Sequence, residues 1–164
     1  YEGYGPGGVG LIVEVTTDNK NRSASEVRST FSKGGGNLAG AGALAFNFKR
    51  KGQFLLARDK MDEDSLTELA LENDAEDVIA EKEHYEVICE TSQYDKLAEA
   101  FSEKDISPDS SELAYLPENQ ISVTDEDVAR KVLKLIHTLE DLEDVKAVHS
   151  NYDIDEALLE SIAG

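Results

Sequence analysis

Seven cations, Lys20, Arg22, Arg28, Lys33, Lys49, Arg50 and Lys51, share one stretch of chain with two glycine clusters. Ammonium and guanidinium groups neutralise phosphates by direct contact, and glycine lets a bulky partner come close to the backbone. Up to residue 60 the chain holds nine Lys/Arg against five Asp/Glu; beyond it, seven stand against thirty. At a net charge of −19 most of the surface repels polyanions, so a bound polyanion is expected in the basic, glycine-punctuated region. The plainer fate of such cations is a solvated helix face.

The candidate loop contacts lie around the glycines: Tyr4, Gly5, Pro6, Gly7 and Gly8 at the start, Asn19 and Asn21 in a polar turn, then Gly34, Gly35 and Asn37. Gly5, Gly7 and Gly10 form a G-x-G-x-x-G, but it precedes a strand instead of following one. The helix N-terminus that would hold a pyrophosphate is therefore missing from the pattern. A tight loop whose glycines permit positive φ is the plainer reading. Three consecutive glycines at 34–36 exceed what one helix cap needs.

Catalytic patterns are weak. His84, His137 and His149 stand in separate elements with no close partner at metal-ligand spacing, and the sole cysteine, Cys89, sits among apolar residues as a buried thiol would. No nucleophile elbow or H-E-x-x-H occurs. The expectation is a protein that is not an enzyme, with no cofactor, no metal and no small-molecule substrate. Phe46 and Phe48 beside Lys49–Lys51, with Phe54 on the next strand, suit either base stacking or an ordinary half-buried strand.

Apolar periodicity supplies the elements that must position these residues. Val9–Val15 reads as a buried strand, followed by a helix capped by Ser23 with Glu26 and stopped at Gly34. Leu44–Phe48 and Gln53–Ala57 read as a hairpin turning through Lys49–Gly52. Next come a helix after Ser65, strands at Asp77–Ala80 and Tyr85–Glu90, a helix capped by Ser92, and a strand at Leu113–Leu116. From the strand at 53–57 the order is βαββαβ, that of a ferredoxin-like unit. A helix capped by Thr124, with Val128, Val132, Leu135, Ile136, Leu139 and Leu142 as its stripe, then a strand at Val145–Tyr152 and a short helix complete the chain. The beginning and the end each lack a partner, so the two together are expected to complete one sheet. The predicted fold is α+β with two small domains: residues 1–58 with 118–164, and an acidic ferredoxin-like insert at 59–117. No apolar run reaches the ~20 residues that span a bilayer, so no membrane partner is expected.

Tyr1–Gly8 (YEGYGPGG), Thr17–Arg22 (TDNKNR), Glu26-Val27-Arg28, Phe31–Leu38 (FSKGGGNL) and Ala75–Val78 (AEDV) together resemble the second and third domains of the YebC/PmpR family. Gly34 stands where many relatives carry a cysteine. The resemblance implies a three-domain protein whose first domain is basic and helical. Members are labelled transcriptional regulators, and the family includes translational activators of mitochondrial cytochrome oxidase synthesis and bacterial factors that relieve ribosomes stalled on proline-rich sequences. What it implies here is a monomeric, ribosome-associated translation factor in the cytoplasm, or in the mitochondrial matrix for a eukaryotic member. Its partner would be ribosomal RNA or tRNA. The alternative is a DNA-binding transcriptional regulator.

Overall fold

The computed structural model describes Tyr1–Ala163 and divides into two compact units: Tyr1–Lys49 with the chain from Leu116 onward, and Arg50–Tyr115. The outer unit is built from both ends of the sequence. Strands β1 (Glu2–Tyr4), β2 (Gly10–Val15) and β3 (Asn37–Leu38) join β9 (Val145–Ser150) in a sheet of order β3-β1-β2-β9. The pairing of β2 with β9 sets Leu11 opposite Ser150 and Val13 opposite Val148 in antiparallel register, so residues about 140 apart close one sheet, as the unpartnered ends require. A second, parallel pair links β8 (Ile121–Val123) to β10 (Tyr152–Ile154). The single expected strand at 145–152 is thus two, broken at Asn151. The buried Asn151 carboxamide accepts the Gly10 N–H at 2.7 Å, and its carbonyl accepts the Ile121 N–H.

Helices α1 (Lys20–Lys33) and α4 (Glu126–Glu140) cover the outer sheet, and α5 (Glu156–Ala163) follows β10. Leu11, Val13, Val27, Phe31, Val132, Leu135 and Leu139 form the core. Both long helices start differently from expectation. The Asn19 side chain, not Ser23, caps α1 by accepting the Arg22 N–H at 3.1 Å. Asp125, not Thr124, caps α4 by accepting the Asp127 and Val128 N–H groups. In each case a carboxamide or carboxylate takes the capping position, and Ser23 is buried inside the helix.

The inserted unit runs β4 (Phe48–Ala57), α2 (Glu63–Glu72), β5 (Asp77–Ala80), β6 (His84–Glu90), α3 (Tyr94–Glu103) and β7 (Ser110–Pro117). Its sheet order, β5-β6-β4-β7, is that of a ferredoxin-like βαββαβ unit. Phe54 sits at its centre, stacked on Tyr94 at 5.0 Å and tilted against Phe101 at 5.2 Å. Here again the caps differ: Asp62 holds the Ser65 N–H, and a short 3₁₀ turn at Thr91–Gln93 replaces a Ser92 cap.

The expected hairpin at 44–57 is absent. Residues 41–47 form turns, and Lys49-Arg50-Lys51-Gly52 lie within the strand β4. Gly52 is there because a Cβ would stand 2.6 Å from Cys89 Sγ and 2.8 Å from the Tyr94 ring, so packing rather than turning demands it. A boundary at 58/59 would leave β4 with the outer unit, whereas its hydrogen bonds to β6 along residues 51–57 tie it to the insert.

Candidate nucleic-acid interface

The two glycine clusters meet. β1 pairs with β3 through Gly3↔Leu38 and Tyr4↔Asn37, laying residues 34–36 against residues 4–6. A Cβ on Gly36 would overlap the Tyr4 carbonyl oxygen, and one on Gly3 would stand 2.6 Å from the Phe31 ring. Gly5 and Gly34 both leave room for Leu135, at 3.2 and 2.8 Å from the positions their Cβ atoms would take. Gly35, at φ +85°, is the left-handed residue of the helix end, a position expected for Gly34. The N–H groups of Gly34, Gly35 and Gly36 donate to Thr30, Ser32 and Phe31, closing α1 in a Schellman pattern. These amides are therefore spent on helix carbonyls. Gly7 (φ +74°) packs toward Val128, while Gly8 (φ +80°) faces open space.

The seven expected cations separate into three groups. Arg22 is held by Asp144 at 3.0 Å and Asp18 at 3.1 Å, and Lys51 by Glu76 at 2.8 Å and Glu90 at 2.6 Å. Asp144 also accepts from Ser23 Oγ at 2.6 Å and Thr17 Oγ1 at 3.2 Å. Those bonds, from Ser23 first and then Arg22, hold the Asp144 carboxyl below the usual carboxylate range. Each cation thus meets at least one carboxylate from the acidic part of the sequence, Asp144 for Arg22 and both Glu76 and Glu90 for Lys51. Arg50 lies over the Tyr115 ring within the inserted unit, 5.8 Å from its centroid. Lys20, Arg28, Lys33 and Lys49 are exposed with no ion pair among the described residues. Arg28 and Lys33 diverge by about 140° around α1 at 100° per residue, so they do not converge on one phosphate group.

Of the loop candidates, Tyr4 and Asn37 are exposed on their strands, Pro6 is half-buried at the edge of the glycine pair, and Asn21 is exposed in the first turn of α1. Asn19 is committed to its cap.

What gathers around Lys33 was not legible beforehand. α1 and α4 run in opposite senses along their shared flank: the start of α1 bonds Asp144, and its end at Gly34 packs on Leu135. Between them opens a cleft of about 640 Å³ lined by Ser29, Thr30, Lys33, Gly34, Gly35, Lys131, Lys134, Leu135 and Thr138. Lys131 and Lys134, three residues apart, project from one face of α4 toward Lys33 on α1. None of the three has an ion pair among the described residues, and no carboxylate lines the cleft, although the chain carries 35 Asp/Glu. Thr30 and Thr138 donate their hydroxyls to the Glu26 and Lys134 carbonyls, so the donors left to a ligand are three ammonium groups and Ser29 Oγ. Such a cleft can hold phosphate oxygens over an apolar floor. One signal was present in the sequence: three of the seven cations beyond residue 60, Arg130, Lys131 and Lys134, fall within five residues. The strongly acidic balance beyond residue 60 masks it.

Over residues 1–152 the sequence matches the family described as the TACO1/YebC second and third domain. It is 49% identical, over 97% of its length, to a "probable transcriptional regulatory protein" of Opitutus terrae, and 44% identical over its whole length to one of Sulfurihydrogenibium sp.. It spans 64% and 66% of those two relatives. The crystal structure of a conserved hypothetical protein, Aq1575, from Aquifex aeolicus is similar with a TM-score of 0.85 at 37% identity, covering 95% of this chain and 64% of that one. The chain belongs to the TACO1/YebC family.

Proposed function

We propose that this chain is the body of a non-enzymatic regulator of gene expression that works on the ribosome as a monomeric, cytoplasmic translation factor, with the α1–α4 cleft seated on an RNA phosphodiester backbone. The observation that carries this reading is a cleft whose lining holds no carboxylate and three lysines with no ion pair among the described residues, in a chain of net charge −19. Carboxylates elsewhere repel a polyanion, so they favour its phosphates at that cleft and its glycine-lined rim. The relatives' names support action on gene expression. RNA is favoured over duplex DNA because α4 opens with Glu126 and Asp127 behind the Asp125 cap, and the leading residues of a recognition helix are those that meet base edges. Relief of stalling on proline-rich sequences is the step we assign, on the family resemblance.

Co-sedimentation of the full-length protein with ribosomes is the test. Binding that weakens when Lys33, Lys131 and Lys134 are neutralised supports the reading. Retardation of a promoter fragment without ribosome binding overturns it in favour of a DNA-binding regulator, which the word "transcriptional" in those names favours.

A further inference from the structure

We propose that Phe46 is a stacking platform for an unpaired nucleobase of the bound RNA, an inference that rests on the RNA-binding reading above. Strand alternation puts Phe46 and Phe48 on one strand face with Leu44, with Phe54 on the facing strand. The structure separates them: Leu44 and Phe48 are 4% exposed and Phe54 is fully buried, whereas Phe46 is 74% exposed.

A lone exposed apolar side chain is ordinary on a protein surface. Phe46 differs because its loop is pinned on both sides of the ring. On one side, the Glu2 carboxylate accepts the Gly42 N–H at 2.5 Å and the Leu44 N–H at 2.8 Å, and Leu44 is buried against Gly10. Burial pushes the Glu2 carboxyl up, but the N–H groups of Gly42, Leu44 and Ala45 outweigh it and hold the group below its ordinary range. On the other side, the buried Asn47 side chain donates to the Asn119 carbonyl at 3.0 Å and accepts the Asn119 N–H at 2.9 Å. The ring is presented outward by a loop whose neighbours on either side are fixed.

The surroundings select the kind of partner. The other exposed residues of the loop, Gly40, Ala41, Gly42 and Ala45, carry nothing larger than a methyl, which leaves the ring open to a flat partner. Lys49, exposed and without an ion pair among the described residues, lies three residues on, within about 11 Å of chain. A base on the ring and its phosphate on the lysine is the combination that single-strand binders use.

The chain has no tryptophan, so Phe46→Trp installs a single fluorescent reporter. The full chain carrying it is titrated with a short single-stranded RNA, with the same RNA as a duplex, and with inorganic polyphosphate. We expect quenching by the single strand alone. Phe46→Leu should weaken single-strand binding by about 5- to 150-fold, the range for loss of one stacked base, whereas Phe46→Tyr retains it. Single-strand binding without quenching, or a leucine variant that binds as well as phenylalanine, overturns the stacking role and leaves the cleft reading intact. RNA that binds neither wild type nor variant overturns both.

Discussion

Neutralising the cleft as Lys33→Gln, Lys131→Gln and Lys134→Gln should change the salt dependence of RNA binding more distinctively than its strength. Each cation that meets a phosphate of a single strand contributes roughly 0.7 to the slope of log K against log salt. Three such contacts contribute about 2.1, equivalent to a loss of about 18-fold between 50 and 200 mM salt. The triple variant should therefore show a slope shallower by about 2 than the parent's in a filter-binding or anisotropy series. The fold should be little affected, since none of the three lysines has an ion pair among the described residues. Only Lys33, in the last turn of α1, offsets a helix dipole, which is worth about 0.3–1 kcal/mol. Arg28, about 140° around the same helix, is the internal control. An unchanged slope in the triple variant, with Arg28→Gln removing roughly 0.7 by itself, would refute the assignment of the cleft.

Two further outcomes test the scaffold that shapes the cleft. Gly36→Ala forces a methyl onto the Tyr4 carbonyl and should destabilise by about 1–3 kcal/mol in denaturant unfolding, while Gly40→Ala, in open space, should change stability by less than about 0.5 kcal/mol; equal effects would mean the two glycine loops do not pack as described. The depressed Asp144 carboxyl contributes stability that is complete above the ordinary carboxylate range and is lost as pH falls through its lower native value. Asp144→Asn should accordingly melt lower than the parent at pH 7, with the gap closing below about pH 4, and a gap independent of pH would show that the ionised carboxylate is not what holds α1.

Periodicity was enough for the two-unit α+β architecture, because each apolar stripe has one place to go. The βαββαβ order and the two unpartnered ends left a single economical sheet assignment, which the pairing of Leu11 with Ser150 realises. Caps were less legible. Ser23, Ser65, Ser92 and Thr124 all satisfied a local rule, yet a carboxylate or carboxamide one to four residues earlier or later took three of these positions and a 3₁₀ turn replaced the fourth. The hairpin failed for a different reason: Gly52 resembles a turn residue, and only the tertiary closeness of Cys89 and Tyr94 explains it in a strand. The basic region was legible as composition but not as geometry. Whether a cation is free depends on carboxylates far away in sequence, as Arg22 with Asp144 and Lys51 with Glu76 show. The same distance concealed the cleft, since Lys33 and Lys131 are brought together only by the antiparallel packing of α1 on α4.

That arrangement also governs how a polyanion would arrive. The chain's net charge of −19 makes the far field repulsive, while the three cleft lysines attract only at short range. At physiological ionic strength the field decays over about 8 Å, so added salt removes the distant repulsion. At low salt, where the screening length is about 30 Å, the approaching strand meets the whole acidic surface first. Association of single-stranded RNA with this chain should then speed up as salt rises from low values, and dissociation should speed up more, because contacts at the lysines are lost. Most nucleic-acid binders with a net positive field show slower association instead. Stopped-flow measurement of both rates across a salt series separates the cases. Association that slows monotonically with salt would mean the strand is steered by an extended attractive surface, and the assignment of its main phosphate contacts to Lys33, Lys131 and Lys134 would have to be abandoned.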